Sequence, residues 1–140
     1  DFINTTTHSA CKLVDGQRIP EKEYLQNMYD SKIIFSPYGY GAYGAPRDVQ
    51  SAQLGSVLIK PDMDWINTTP NMYVDGETYI ACKHDFSDLE EKVDYVLSDY
   101  KNIQEHIVSN FRKKLTEIYN PVHLVKHIYE VFKNLKGVIV

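Results

Sequence analysis

The sequence lacks the features that would assign it to a membrane, a disulfide scaffold or a nucleic-acid complex. No apolar run approaches the roughly 18 residues that a transmembrane helix needs. Cys11 and Cys82 are the only cysteines, too few for a metal cage, so we expect two reduced thiols in a cytoplasmic protein. The net charge of −4 gives the chain no overall electrostatic footprint for nucleic acid or anionic lipid.

What the chain does contain is enough for one hydrophobic core. Its 140 residues are 43% apolar and 24% charged, which is typical of a soluble globular domain. We therefore expect a single domain over residues 1–140. Because the chain begins at Asp1 rather than Met, we also expect it to be a piece of a longer protein.

Short apolar runs alternate with amphipathic segments in the first half of the chain, and the last third is amphipathic throughout. This order predicts an α/β fold: a Rossmann-like parallel sheet of about four to six strands, flanked by helices, with a helical C-terminal portion. The predicted strands are residues 2–7, 32–36, 56–60 and 78–82. The predicted helices are residues 20–30, 46–54, 87–100, 102–119 and 120–137.

Several helix ends carry sequence signals. Ser87 and Glu90 have the spacing of a capping box, and Asn120 before Pro121 is typical of a helix start. Gly55 suits the end of the helix over 46–54. The basic run Arg112-Lys113-Lys114 lies on a helix flank, where we expect it to be solvated.

A glycine-rich loop follows the predicted strand over 32–36. Its glycines, with Pro46 opening the next helix, place backbone N–H groups and a helix N-terminus where a phosphate can bind. Arg47 in the first helical turn can add a bidentate phosphate contact. The loop glycines are Gly39, Gly41 and Gly44, in G-x-G-x-x-G spacing, and the tyrosines that could stack on a base or sugar are Tyr38, Tyr40 and Tyr43.

The glycine spacing leaves two kinds of ligand open. Asp62 follows Gly39 by 23 residues and ends the next strand, where an NAD-binding domain has its ribose-binding acid. Against an NAD site, Ser36-Pro37-Tyr38 separates the strand from the first glycine, and the following helix is short. The loop chemistry alone does not distinguish a dinucleotide from a nucleotide-sugar.

Six ordered motifs over residues 20 to about 100 resemble the donor-binding, C-terminal half of glycosyltransferases with the two-domain GT-B architecture. They are a strand ending in Ser-Pro before a Gly-aromatic-Gly loop, an Arg-Asp helix start, "KPDM", a Pro-x-x-Tyr segment, "GETY" and "DFSDL". The resemblance implies an enzyme that moves a sugar from a nucleotide-sugar to an acceptor glycan or other hydroxyl. It implies no further cofactor and no metal, and it implies an N-terminal acceptor-binding domain in the same or another chain.

The resemblance also implies a donor site. Gly39 and Gly41 would border the diphosphate, and Arg47 and Lys60, with help from Lys22, would balance its charge. The nucleotide or sugar side would be lined by Asp62, Met63 and Tyr73, with Tyr38 and Tyr40 from the glycine loop. The catalytic residues are left unassigned.

Two positions depart from the related pattern, which has a glutamate after the Gly-aromatic-Gly and another eight positions later. Ala42 and Gln50 stand there in this chain. Gln50 can still hydrogen-bond a ribose, whereas Ala42 offers no polar group. A non-catalytic glycosyltransferase-like module is therefore an alternative to an active enzyme.

Some histidines and acidic residues are weaker candidates for metal or ligand contacts. His123 and His127 are spaced i, i+4 as a metal pair would be, but no third ligand is near in sequence, so we expect a solvated helix face. His8 is a candidate ligand contact at the cleft mouth. Glu77 fits a turn residue before a strand or, by the resemblance, a position near the donor. Asp85 and Asp88 fit helix-start caps.

Overall fold

The computed structural model describes residues 19–38, 44–66 and 71–136. Within these ranges the chain forms a three-stranded parallel sheet in the order β1-β2-β3. The strands are β1 (Ile33–Phe35), β2 (Val57–Pro61) and β3 (Ile80–Cys82). Ile33 pairs with Val57, and Ile59 pairs with Ile80. The α/β fold and the parallel sheet are thus confirmed, while the strand predicted over 2–7 lies outside the described residues.

Five helices belong to the described ranges, and they agree with the predicted ones to within a few residues. They are α1 (Glu21–Tyr29), α2 (Pro46–Leu54), α3 (Leu89–Ser98), α4 (Tyr100–Tyr119) and α5 (Pro121–Lys136). α2 connects β1 to β2, and α3 follows β3 after a short turn. Among these helices none has the length and apolar composition that crossing a membrane requires.

The core lies on both faces of the sheet because successive side chains of a strand point to opposite faces. In β2, Leu58 packs with Tyr79, Phe111 and others on one face, while Val57 and Ile59 pack with Ile107 and others on the opposite face. Every residue of β2 is buried, as expected for the central strand of a covered parallel sheet.

The C-terminal end of α2 is closed by a glycine and by an arginine from another helix. At its C-terminus Gly55 adopts a positive φ of 92°, and Arg112 of α4 donates to the carbonyl oxygens of Ala52 (2.7 Å) and Gln53 (3.0 Å). Gly55 therefore ends the helix as predicted. Arg112 is exposed, as expected, but its cation also satisfies the last carbonyls of α2, where positive charge is favoured.

The start of α3 differs from prediction as well. The helix begins at Leu89 with Asp88 at the N-cap, and no side-chain cap bond is made there. The backbone N–H of Ser87 instead donates to the Asp85 carboxylate at 3.0 Å. The capping box of Ser87 and Glu90 is thus wrong, because an Asp85-centred turn takes up the residue that would cap. In α5 the prediction holds: the Asn120 side chain accepts the Val122 N–H at 3.0 Å, and Pro121 opens the helix.

Candidate functional site

The carboxyl ends of the three parallel strands lie along one edge of the sheet, and the segments that leave β1 and β2 are each hydrogen-bonded to the neighbouring strand. The N–H of Ser36 after β1 donates to Ile59 of β2 at 3.0 Å. The N–H of Asp62 after β2 donates to Cys82 of β3 at 3.0 Å. Ligands of open α/β sheets bind outside this edge, so it is the first place to search for a site.

An aromatic cluster stands on this edge, with one member from the segment after each strand. The rings of Tyr38 and His84 stack at a centroid distance of 5.4 Å, and Trp65 meets the Tyr38 ring edge-on at 5.9 Å. The Trp65 indole N–H donates to the Tyr38 hydroxyl (2.9 Å) and to the Asp62 carbonyl (3.0 Å). These two hydrogen bonds fix the orientation of the Trp65 ring. Because the residue is still 59% exposed, the ring remains open to a ligand.

Beside this cluster lies an open cavity of about 300 Å³ with acidic walls. Three of its carboxylates each accept one backbone N–H: Asp62 from Asp64 (2.9 Å), Asp75 from Ala81 (2.7 Å) and Asp88 from Lys83 (2.8 Å). The lining residues are Asp62, Asp64, Asp75, Ala81, Cys82, Lys83, His84 and Asp88. Each bonded carboxylate uses one oxygen to position its own loop, which leaves the other to accept hydrogen bonds from a ligand.

Behind the edge, a buried polar network joins α2 to β2. Lys60 and Asp48 form an ion pair at 3.3 Å with both side chains fully buried. The same Asp48 oxygen accepts the Tyr73 hydroxyl at 2.7 Å and the Ala45 N–H at 3.0 Å. The Lys60 ammonium also donates to the Ser36 carbonyl at 3.4 Å. The network thereby connects the end of β1, the start of α2 and the Tyr73 segment.

This network sets the electrostatics at the start of α2. Burial, and then the Asp48 charge, raise the pKa of Tyr73 well above its ordinary value, so its hydroxyl stays a donor. Asp48 is in the first turn of α2, where its carboxylate also interacts favourably with the helix dipole. Lys60 and the helix N-terminus therefore already face an anionic group of the protein itself.

The predicted site residues that the structure describes fall into three groups: those at or directly behind the edge, Arg47 by itself, and a pair on the α1 side of α2. Tyr38, Lys60, Asp62, Met63 and Tyr73 come together at the edge or directly behind it. Met63 and Tyr73 are 3% and 2% exposed, and Lys60 is fully buried, whereas Tyr38 and Asp62 are half-buried. Arg47 is exposed on the first turn of α2. The proposed donor contacts of Gly39, Tyr40 and Gly41 lie outside the described residues, as do Ala42 and His8.

Lys22 and Gln50 form the third group, on the α1 side of α2. Lys22 is exposed and lines a separate cavity of about 540 Å³ with Leu25, Tyr29 and Leu54, among others. The Gln50 amide oxygen accepts the Tyr24 hydroxyl at 3.4 Å. The structure thus does not bring these two side chains to the aromatic cluster.

Three residues of the site were not expected from the sequence. Asp48 carried a signal, since it is the acid in the first turn of a Pro-led helix. Trp65, the only tryptophan in the chain, and His84 carried none, because each joins the site through Tyr38, which lies 27 or more positions away in sequence. Cys82 is buried and free, and burial raises the pKa of its thiol to about 11, so it is a poor nucleophile.

Metal ligands do not assemble in the described ranges: no group of three or more His, Cys, Asp or Glu side chains there has the geometry to hold an ion. His123 is exposed and His127 half-buried on α5.

In comparisons with known proteins, no family model matches the chain, and no curated protein or solved structure matches it either.

Proposed function

We propose that this chain is the donor-binding half of a glycosyltransferase and that it recognises a nucleotide-sugar at the carboxyl edge of its sheet. The observation that carries the proposal is the joint presence there of an exposed, oriented indole and carboxylates with unused oxygens. A flat aromatic face stacks on a base or a sugar ring, and carboxylates accept hydrogen bonds from hydroxyl groups. The chain order of the motifs, with its resemblance to the GT-B donor half, supports the same function.

The charges along the edge favour different positions for the hydroxyl-rich and the phosphate parts of such a ligand. The acidic cavity repels phosphate, so it suits the hydroxyl-rich parts of the donor. The diphosphate then belongs on the other side, near Arg47 and the loop that precedes α2. Lys60 is already balanced by Asp48, and we infer that it holds the end of β1 through the Ser36 carbonyl instead of contacting the diphosphate directly.

The second candidate is a module that binds the donor without transferring its sugar. It is favoured by Ala42 and by Gln50, whose amide oxygen faces Tyr24 of α1. Restoring glutamate at both positions distinguishes the two candidates. A large gain of sugar transfer in a complete two-domain protein identifies a chain that has lost catalysis.

The indole N–H of Trp65 gives one resolvable NMR signal, because the chain has a single tryptophan. We would titrate the chain with UDP-, GDP- and dTDP-sugars and with NAD, following this signal and the tryptophan fluorescence. One nucleotide-sugar should shift the signal saturably. Asp62→Asn should weaken that binding about tenfold, since it removes a charge-assisted hydrogen bond to a hydroxyl.

The matched control is Asp94→Asn, which removes an exposed carboxylate from α3, away from the edge. Its affinity should equal that of the unmodified chain. A response to NAD alone would move the assignment to a dinucleotide-binding domain. If no nucleotide-sugar shifts the indole signal while the chain is folded, the proposal is wrong.

A further inference from the structure

The last helix, α5, carries a continuous apolar surface that nothing covers in the described part of the chain. Its large apolar side chains are 42% to 65% exposed, with Val125, Tyr129 and Phe132 above 60%. At 3.6 residues per turn, its apolar positions occupy about half of the helix circumference. The exposed members are Val122, Leu124, Val125, Ile128, Tyr129, Val131 and Phe132, and we call this surface the α5 face.

The orientation of α5 is unusual for a helix at the end of a domain. Of its described side chains, the least exposed belongs to a polar residue, His127. The most exposed apolar residues, Val125, Tyr129 and Phe132, lie on the part of the helix that points away from the domain. The α5 face is therefore turned away from the core of the chain.

The charge of α5 is opposite to that of the whole chain. The helix has three lysines against one glutamate, a net charge of +2, whereas the chain carries −4. Lys126 and Lys133 follow Val122 and Tyr129 by four residues, so they lie along one border of the α5 face. Lys133 lies 3.9 Å from Glu130, and both side chains are exposed, so this pair is weak. Together with Lys126, it leaves this border with more lysine than glutamate.

We propose that the α5 face binds an anionic lipid surface, lying in the plane of the membrane interface. A half-apolar helix with aromatic residues on one side and lysines at its border is typical of interfacial helices. The acidic remainder of the chain opposes this little, because charges beyond about 8 Å are largely screened at physiological salt. This inference is independent of the proposed donor site.

A second copy of the chain is a weaker occupant. A helix of 16 residues is about 24 Å long, and a seam along it buries less than the ~800 Å² per partner of a stable dimer. Two α5 helices would also bring net positive charges together. An interfacial position avoids both problems, since lipid covers the whole width of the α5 face.

The test is sedimentation of the 140-residue chain with phosphatidylcholine vesicles, with and without phosphatidylserine, at physiological salt. The chain should partition onto the phosphatidylserine vesicles. V125S/F132S should weaken partitioning by about tenfold or more through lost apolar burial. K126Q/K133Q should weaken it by about fivefold per lysine.

Two matched controls remove similar groups elsewhere. Y95S/L97S takes two exposed apolar side chains from α3, and K101Q/K113Q takes two exposed lysines from α4. Both should bind vesicles as the unmodified chain does. Circular dichroism verifies that every variant is folded.

Three results would overturn the proposal. They are no sedimentation of the folded chain with phosphatidylserine vesicles, equal sedimentation with both kinds of vesicle, and equal losses in the controls and the α5 variants. Sedimentation velocity tests a second copy as the occupant: a dimer that V125S/F132S dissociates, without vesicle binding, would assign the α5 face to a second copy.

Discussion

The buried pair of Lys60 and Asp48 allows the sharpest test of how the site is held together. Both side chains are fully buried, and the Asp48 oxygen that meets Lys60 also accepts two hydrogen bonds. Asp48→Asn keeps an acceptor for those bonds but leaves the Lys60 charge unpaired. Breaking a buried ion pair from one side costs about 3–5 kcal/mol of unfolding free energy.

Lys60→Met removes the other charge and should cost a similar amount. The double variant D48N/K60M buries no charge at this point, so its cost should fall short of the two single costs added together by at least ~2 kcal/mol. Since about 1 kcal/mol corresponds to a few degrees in a domain of this size, each single variant should melt about 10 °C lower.

The assay is urea unfolding followed by the fluorescence of Trp65 and by circular dichroism, completed as a double-mutant cycle. Coincident transitions from the two probes establish two-state behaviour. A loss of unfolding free energy below ~1 kcal/mol for Asp48→Asn, or strictly additive losses in the cycle, would refute the argument that the two charges are shielded from water and stabilise each other.

Three further predictions follow from packing, capping and ionisation. Gly44→Ala places a Cβ against the Tyr73 hydroxyl and Met72, so urea unfolding should show a loss of about 1–3 kcal/mol, and an unchanged stability would contradict the contact. Arg112→Ala should lose about 1–2 kcal/mol by removing the C-terminal cap of α2, whereas exposed Lys113→Ala should lose less than ~0.5 kcal/mol, and equal losses would count against the cap. Because the pKa of the Cys82 thiol rises from 9.0 to about 11 on folding, the unfolded chain releases that proton first. This thiol should lower stability by about 2 kcal/mol between pH 9 and 11, and Cys82→Ala should remove that part of the fall in a pH series of urea curves, leaving the part due to buried tyrosines such as Tyr73.

Local sequence signals predicted much of the fold. Apolar runs fixed β1 and β2, and Pro46 with Gly55 marked both ends of α2. Those signals act within a few residues, and the corresponding elements agree with prediction. The predicted start of α3 was wrong because a capping box and an Asp85 turn compete for Ser87, and the sequence does not reveal which of the two forms.

The candidate site was predicted less completely, because its geometry depends on contacts between distant residues. Tyr38 was expected in the site as part of the glycine loop, and Asp62 as the acid that ends the next strand. Trp65 and His84 join them only when the segments after all three strands meet. Lys60 was predicted to face a ligand, and its pairing with Asp48 follows from the packing of α2 against β2, which no local pattern encodes.

The clamp that Arg112 places on the end of α2 also bears on how the chain reaches its fold. Its hydrogen bond to Ala52 joins residues 60 positions apart, and Gln104 reaches Gly55 across 49. Such distant contacts raise the contact order, and closing long loops slows folding. As the chain emerges from the ribosome, the segment from β1 to β2 is complete long before α4 can secure it. A nascent chain that ends before α4 therefore exposes the apolar face of α2 and the sheet, and is expected to need protection from aggregation until synthesis passes Arg112.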